Sequence, residues 1–491
     1  MTEQAFAAVD LGAESGRVVL GRLADGRVGL EVVHRFANRP VQLPDGLRWN
    51  LLALFAGALD GIARAAAQAR LAGIGVDAWG VDYALLDARG RVLGLPFHYR
   101  DRRTEGMVSR AHARVSAQEL YSVTGIQTLP INTVFQLMAD EGSPALEAAE
   151  RIALVPDLFN LWLTGAFANE ATIASTTGLL DAPSGTWARE LAARLRLPRA
   201  PFTGDVVEPG VTLGPLLTHH GDAADVPVHL VAGHDTASAF AAAPLRDGRS
   251  AVLSSGTWSL LGLELPNPVL DEEARAANLS NERGVDGTTR LLRNVMGLWL
   301  VQECRRCWAT EGSGPDDYDE LVRLAAAAGP TVPLFDPDTE AFLARGDMPA
   351  RIAEACAATG QQPPQTPGET VRAILTSLAC KYRLVLEQLE RVTGCAVETI
   401  HVVGGGARNE LLCRLSADIT GRTVLAGPVE ATALGNVLVQ ARAVGAVASL
   451  GELREVAAVS ADCDVYEPTA AASETYERFL SVTGLVSPTP A

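Results

Sequence analysis

Lysine is almost missing from this chain. Lys381 is the only one, so 40 of the 41 basic residues are arginine. A Walker A loop needs a lysine after its glycines, and a protein kinase needs one on its third strand. Lys381 lies in SLACKYRLVLEQL, an amphipathic helical pattern with no Gly-rich loop before it. Both of those nucleotide-binding designs are excluded. Positive charge is scarce overall: the formal net charge is −17. That argues against a nucleic-acid partner, which needs a basic face. It leaves phosphorylated small molecules open, because backbone amides, helix N-termini and a divalent cation hold phosphates locally. No stretch reads as approaching the roughly 18 apolar residues of a membrane span. MTEQAFAAVDLG lacks the basic n-region of a secretory signal. A cytoplasmic protein without membrane contact is expected. A disulfide framework is lacking too. The seven cysteines all fall in the second half, and Cys304-Arg-Arg-Cys307 has no second pair at zinc spacing. They read as reduced thiols, this pair on a helix.

What is present points to two domains. With 491 residues, 48% of them hydrophobic, the chain can bury two substantial cores. FAAVDLGAESGRVVL (6–20) and SAVLSSGTWSLLGL (250–263) have one layout: an apolar strand, a tight turn of Gly with Ser or Thr, and a second apolar strand. Such a turn aims several N–H groups at one point, which suits a phosphate. A second echo pairs GIGVDAWGVDYALLD with TIHVVGGGARNELLC; each is an apolar strand ending in a glycine turn. The domains are expected at 1–244 and 245–470, with a tail at 471–491. Helices are expected over 49–69, most of 133–165, 291–310, 369–393 and 431–445. ARGR (88–91) reads as a hairpin turn, and QQPPQTPG (361–368) as a surface loop. SPTPA at the end reads as frayed.

Three places carry candidate chemistry. Asp10 ends the first strand, where a carboxylate orients water on a Mg²⁺ bound to phosphates. Ser15, Gly16 and the turn amides would face the γ-phosphate, although Asp, Gly and Ser are also ordinary turn residues. Glu14 is an acid in a phosphate turn; it points outward, pairs with Arg17 or helps hydrate the metal. Thr257 would supply the matching hydroxyl from the second hairpin. Asp235 in AGHDTASAF follows a buried strand and opens a helix. It reads first as an N-cap, which is compatible with a fixed carboxylate that accepts a hydroxyl proton during phosphoryl transfer. His234 beside it would bond a sugar hydroxyl or serve as a buried structural histidine. Gly404, Gly405 and Gly406 allow close approach of a flat ring. They are not a dinucleotide fingerprint, because Asn409 stands where the third glycine would be.

Taken together, AVDLGAESGRV, WGVDYALLD, YRDRRT (99–104), AGHDTASA, LSSGTWSLLGLE, NVMGLWLVQE, VVGGGARN and AGPVEATALGN resemble the FGGY family of carbohydrate kinases. The matches keep the family's order from residue 7 to about 445. The resemblance implies two actin-like (ribonuclease H-like) α/β domains with a ligand cleft between them, ATP as co-substrate and Mg²⁺. SSGTWSLLG and GHDTASA resemble the members that phosphorylate L-rhamnulose at O1. Another ketose or deoxy sugar, such as L-fuculose or L-xylulose, is the alternative. Carried over by position, Asp235 is the catalytic base. Gly80, His234, Asp235 and Thr236 contact the ketose. Ala13, Glu14, Ser15, Gly16 and Arg17 form the first ATP loop. Thr257, Asn294, Gln302 and Gly405 complete the nucleotide site. Glu14 departs from the family pattern, which has a small residue there. A monomer or small homo-oligomer is expected. A chaperone-like ATPase would need a peptide-binding or polymerising module, and a sugar-sensing regulator a DNA-binding one; neither is read in the sequence.

Overall fold

The computed structural model describes residues 3–221, 223, 225–245, 248–469 and 473–488. They form two compact units that interleave along the chain. The first takes 1–244, 264–291 and 431–461; the second takes 245–263, 292–430 and 462–491. The chain passes to the second unit at 244/245 and later returns twice. The linear reading as 1–244, 245–470 and 471–491 does not include those returns.

The first unit is built on a six-stranded sheet. Its elements are β1 (Gln4–Leu11), β2 (Ser15–Ala24), β3 (Arg27–Ala37), α1 (Leu51–Gln68), β4 (Leu71–Ala78), β5 (Thr212–Pro215), β6 (Pro227–His229) and α2 (Asp235–Ala242). The strand order is β5–β6–β4–β1–β2–β3. The central three, β6, β4 and β1, run parallel, and the flanking pairs are antiparallel. Strand side chains alternate between faces. Val18 meets α1, where a Cβ added at Gly61 would lie 2.2 Å from it. Its neighbour Val19 joins the opposite core, with Phe6, Ala8, Val231, Leu434 and Val437. That core is covered by helix Ala431–Ala443, which packs on β1 and β4.

α1 corrects one expectation. By length and composition it is apolar enough to cross a membrane. Its apolar residues Leu51, Leu54, Ala58, Ile62 and Ala65 are buried on one face, however, and it packs on β2 and β3. Gly57 and Gly61 allow that close approach, against Phe36 and Val18. It is a core helix. The expected helical stretch 133–165 is also interrupted. Strand Arg151–Leu154 pairs antiparallel with Tyr83–Leu86, between helices Thr133–Ala139 and Val155–Thr164. The turn at ARGR closes through Gly90 N–H to Asp87 O, 2.9 Å.

The second unit repeats the strand plan. Its strands are β7 (Ser250–Ser255), β8 (Trp258–Leu265), β9 (Thr399–Val403), β10 (Thr423–Ala426) and β11 (Asp464–Tyr466), in the order β8–β7–β9–β10–β11. β7 is antiparallel to β8 and parallel to β9, as β1 is to β2 and β4. The two sequence echoes are thus the same strands of a repeated sheet. The segment 291–310 is not one helix: strand Thr289–Met296 precedes helix Trp299–Glu311. Its first residues continue the strand, and Gly297 separates that strand from the helix. Helix Pro367–Thr393 carries Lys381, buried and paired with Asp336 (2.8 Å) and Asp338 (3.1 Å). The stretch read as a tail contains helix Ser473–Thr483. Its Tyr476 and Phe479 are buried against Leu334, Ala379, Leu384 and Ile419. The terminal residues 489–491, read as frayed, lie outside the described residues.

Candidate active site

The parallel strands of the first unit deliver acidic groups to one edge. Asp10 and Asp77 are register neighbours at the ends of β1 and β4. Ala78 N–H donates to Gly233 O at 2.8 Å and Trp79 N–H to Leu11 O at 3.2 Å. Those bonds bring the 233–235 segment alongside. This is the carboxyl edge of parallel strands, where open α/β sheets place their ligands. Asp77 is buried, and its carboxyl is pushed well up by that burial and then by Asp10. Asn436 Nδ2 donates to it at 2.6 Å and is itself held by Gln440 at 2.6 Å.

Asp235 is the first residue of α2, and His234, not Asp235, occupies the N-cap position. The cap reading for Asp235 is corrected to that extent. Its Oδ1 accepts from its neighbour Thr236, from N–H at 2.5 Å and from Oγ1 at 3.1 Å. Burial raises its carboxyl above the ordinary range, His234 lowers it, and Asp10 raises it again. It is the least buried of its cluster, with its side chain 29% exposed. The loop before it is fixed by Glu170, which accepts from Gly233 N–H at 2.9 Å and from Thr172 and Ile173. Burial lifts Glu170 to about 7 against those bonds. His234 and Thr236 are buried around Asp235.

Gly80 stands on a strained turn. The next residue, Val81, has φ +69°, a left-handed conformation unusual for a β-branched side chain. The turn is held from both sides: Val81 N–H donates to Thr176 Oγ1 at 3.1 Å, and Thr133 Oγ1 donates to Val81 O at 2.6 Å. Asp82 accepts from Trp49 (2.6 Å), Trp79 (2.9 Å) and Gln136 (3.1 Å). Burial moves its carboxyl up to about 6, with these donors opposing. The YRDRRT run braces the same place. Arg103 pairs with Asp140 at 2.5 Å and donates to Gln136 Oε1 at 3.0 Å.

The first hairpin is tighter than expected. β1 and β2 leave only residues 12–14 as the turn, so Ser15, Gly16 and Arg17 belong to β2. Gly12 N–H donates to Ser15 O at 2.9 Å, and Asn38 clamps the turn through Glu14 O (3.0 Å) and Gly12 O (2.9 Å). Arg17 pairs with Asp10 at 2.6 Å. Ala13 and Glu14 are half-buried and Ser15 is exposed. A Cβ added at Gly16 would lie 2.3 Å from the Phe36 ring, so packing already demands glycine there.

In the second unit Gly256 and Thr257 link β7 to β8. Gly256 O and Thr257 O accept from Leu298 N–H (3.0 Å) and Trp299 N–H (3.1 Å) at the start of helix Trp299–Glu311. Gly297 permits this, since a Cβ there would lie 2.7 Å from the Trp258 backbone. Asn294 precedes this contact on its strand and Gln302 follows it on the helix, its Oε1 buried without a partner among the described residues. Gly404 and Gly406 press on Ser255, with an added Cβ at Gly406 only 2.0 Å from its Oγ. Gly405 alone of the triplet has open space at that position. Asn409 caps helix Glu410–Thr420 through Leu412 N–H at 2.9 Å. Glu170, Glu282 and Arg290 lie outside the motifs, and Asp77 and Asn436 lie inside two of them without being singled out. Each acts through a partner distant in sequence or through its own burial.

A strand–turn–strand module used twice, with a carboxylate at a parallel-strand edge, is the arrangement that the resemblance to sugar kinases implies. The N-terminal domain of the FGGY family of carbohydrate kinases matches residues 6–241, and the C-terminal domain of that family matches 251–444. The chain belongs to the FGGY family of carbohydrate kinases. It is 41% identical over 475 residues to a rhamnulokinase of Bacteroides thetaiotaomicron, covering 95% of this chain and 96% of that one. A rhamnulokinase of Pectobacterium carotovorum is likewise 41% identical over 475 residues, covering 96% and 94%. Among solved structures, gluconate kinase of Lactobacillus acidophilus superposes with a TM-score of 0.77 at 16% identity, covering 98% and 96%. Xylulose kinase of Rhodospirillum rubrum gives 0.75 at 20% identity, covering 98% of each chain. These structures share the fold.

Proposed function

We propose that the chain transfers the γ-phosphoryl group of ATP to O1 of L-rhamnulose, giving ADP and L-rhamnulose 1-phosphate. One observation supports the substrate most: near-full-length similarity, at 41% identity, to rhamnulokinases. Asp235 supports the chemistry. It is a carboxylate fixed at a helix N-terminus and open on one side, able to accept the sugar hydroxyl proton. Gly80, His234 and Thr236 would contact the ketose. Ala13 through Arg17 would hold the phosphates, and Thr257, Asn294, Gln302 and Gly405 the rest of the nucleotide.

Mg²⁺ fits the residues present as a water-held ion. The Asp10 carboxylate, at the end of β1, suits its hydration shell. Among the described residues no group of three or more His, Cys, Asp or Glu would hold an ion directly. Asp10 would orient the metal's water, while the ion itself neutralises phosphate charge. The reaction is proposed for the cytoplasm, in a monomer or small homo-oligomer without nucleic-acid or membrane partners.

A coupled ADP-release assay over L-rhamnulose, L-fuculose, L-xylulose and glycerol tests the substrate. L-rhamnulose should give the highest kcat/KM. A clear win for another sugar would assign a different substrate to the same kinase, since one methyl in a pocket separates substrates by only about 1–3 kcal/mol.

A further inference from the structure

Behind Asp235 the first unit holds a line of ionisable side chains that steps from open to fully buried. Side-chain exposure falls from 29% at Asp235 to 8% at His234, 5% at Glu282 and 0% at Arg290. Glu282 lies on strand Ser280–Arg283 and Arg290 on strand Thr289–Met296. His234 Nε2 is 3.5 Å from Asp235 Oδ1, and its Nδ1 is 3.2 Å from Glu282 Oε2. Arg290 Nη2 lies 3.1 Å from that same carboxylate oxygen and 3.1 Å from Nδ1. The far end is anchored as well. Arg290 Nε donates to Arg283 O at 3.1 Å, and its guanidinium sits 5.7 Å from the ring of Phe240 on α2. Ser280 Oγ donates to the other oxygen of Glu282 at 3.2 Å. Glu170 and Glu264 also act on Arg290.

Such a pair is a poor device for stability alone. Apolar side chains of equal volume commonly serve a core as well as a buried ion pair does. Its geometry does something apolar groups would not: it grips one nitrogen of the imidazole and aims the other at Asp235. Although burial opposes it, Arg290 and His234 hold the Glu282 carboxyl down to about 2. Arg290 can only donate, so its 3.1 Å bond makes Nδ1 the acceptor and leaves Nε2–H toward Asp235, while ionised Glu282 pairs with the guanidinium at 3.1 Å.

We infer that Glu282 and Arg290 are positioning residues for phosphoryl transfer, fixing the His234 ring so that Nε2 faces Asp235. The inference rests on the reading of Asp235 as the base. No motif points to either residue, and neither reaches the open side of the cluster.

The test uses the full chain with ATP and L-rhamnulose. Glu282→Gln should lower kcat by about 10–100-fold, the scale of a misplaced catalytic group, with KM for ATP unchanged. Glu282→Asp should recover part of the loss. Glu282→Gln leaves Arg290 buried and unpaired, so the decisive variant is Glu282→Gln with Arg290→Met, which removes both charges. If the pair only stabilises the fold, this variant regains wild-type kcat, and that result overturns the inference. A low kcat with a native melting transition supports it. Should the double variant not fold, Arg290→Lys keeps the charge without the fork. A fall in kcat at constant KM for ATP then supports positioning, and an unchanged kcat overturns it. Asp235→Asn run beside them separates the two readings. Near-normal turnover there would remove the base itself, whereas an inactive Asp235→Asn with a fully active double variant removes only the positioning pair.

Discussion

Asp235 accepts two bonds from Thr236 on one oxygen, which fixes the carboxylate without closing it off. Asp235→Asn keeps the size and loses the proton acceptor. Its kcat should fall by about 10²–10⁴-fold, with little change in the melting temperature or in KM for ATP. Burial raises Asp235 above the ordinary range. The acid limb of kcat/KM should therefore lie at higher pH than a free aspartate would give, activity falling as the base protonates. Asp82 makes a different case. Three N–H donors converge on it, from Trp49, Trp79 and Gln136, and Asn supplies only one accepting oxygen. With that oxygen on the two tryptophans, Asp82→Asn should turn its amide Nδ2 against Gln136 Nε2, donor against donor, and cost about 1–3 kcal/mol, seen as a lower midpoint in denaturant. The GHDT and WGVD motifs were legible because each is contiguous. Their supports were not. Asn436 reaches Asp77 across 359 residues, and nothing local to NLSNERG marks Glu282 as a buried partner of Arg290.

At the scale of elements, the glycines divide by what their missing side chains face. Gly406 and Gly16 meet protein, Ser255 and Phe36, whereas Gly405 meets open space. Gly405→Val should keep the melting temperature and raise KM for ATP if the adenosine lies there. Gly406→Val and Gly16→Val should lower stability first, through overpacking of about 1–3 kcal/mol or more. Thermal melts beside nucleotide titrations separate the two classes. Equal effects on KM for ATP and none on melting in all three would deny the distinction. Most elements were legible from hairpin and glycine-turn signals. The errors fell where patterns are ambiguous. TRLLRNVM carries apolar pairs instead of strict alternation, so its period does not distinguish strand from helix, and the strand Arg151–Leu154 is a four-residue run between two helices. α1 is apolar along its length because its exposed face carries Leu52 and several alanines beside Asp60 and Arg64.

For the whole molecule, the sequence predicts two cores and a repeated plan, and the strands bear out the repeat. The interleaving of the units was not legible, because a chain that leaves one core and returns to it gives no local signal. Helix Ala431–Ala443 closes the core of the first unit, against Phe6, Ala8 and Val19. Leu434, Val437 and Leu438 are buried in doing so, each worth about 1.5–3 kcal/mol. A fragment of residues 1–244 contains every residue proposed to touch the sugar. It should nevertheless lack a cooperative melting transition and show little amide protection in β1 and β4. A cooperatively folded, sugar-binding fragment would show that the late helix is dispensable.

That helix has a consequence for how the molecule comes into being. A Cβ added at Gly435 would lie 1.9 Å from Ser238 O on α2, the helix that Asp235 opens, so the two backbones are in direct contact. The residues of the sugar side leave the ribosome early, and the helix that seals them is made near the end of synthesis. At about 5–20 residues per second, the nascent sheet would wait on the order of ten seconds or longer with one apolar face uncovered. A growing chain of this kind should lean on holdase chaperones until its last segments emerge, and premature termination between residues 400 and 431 should yield aggregate instead of a half-active kinase.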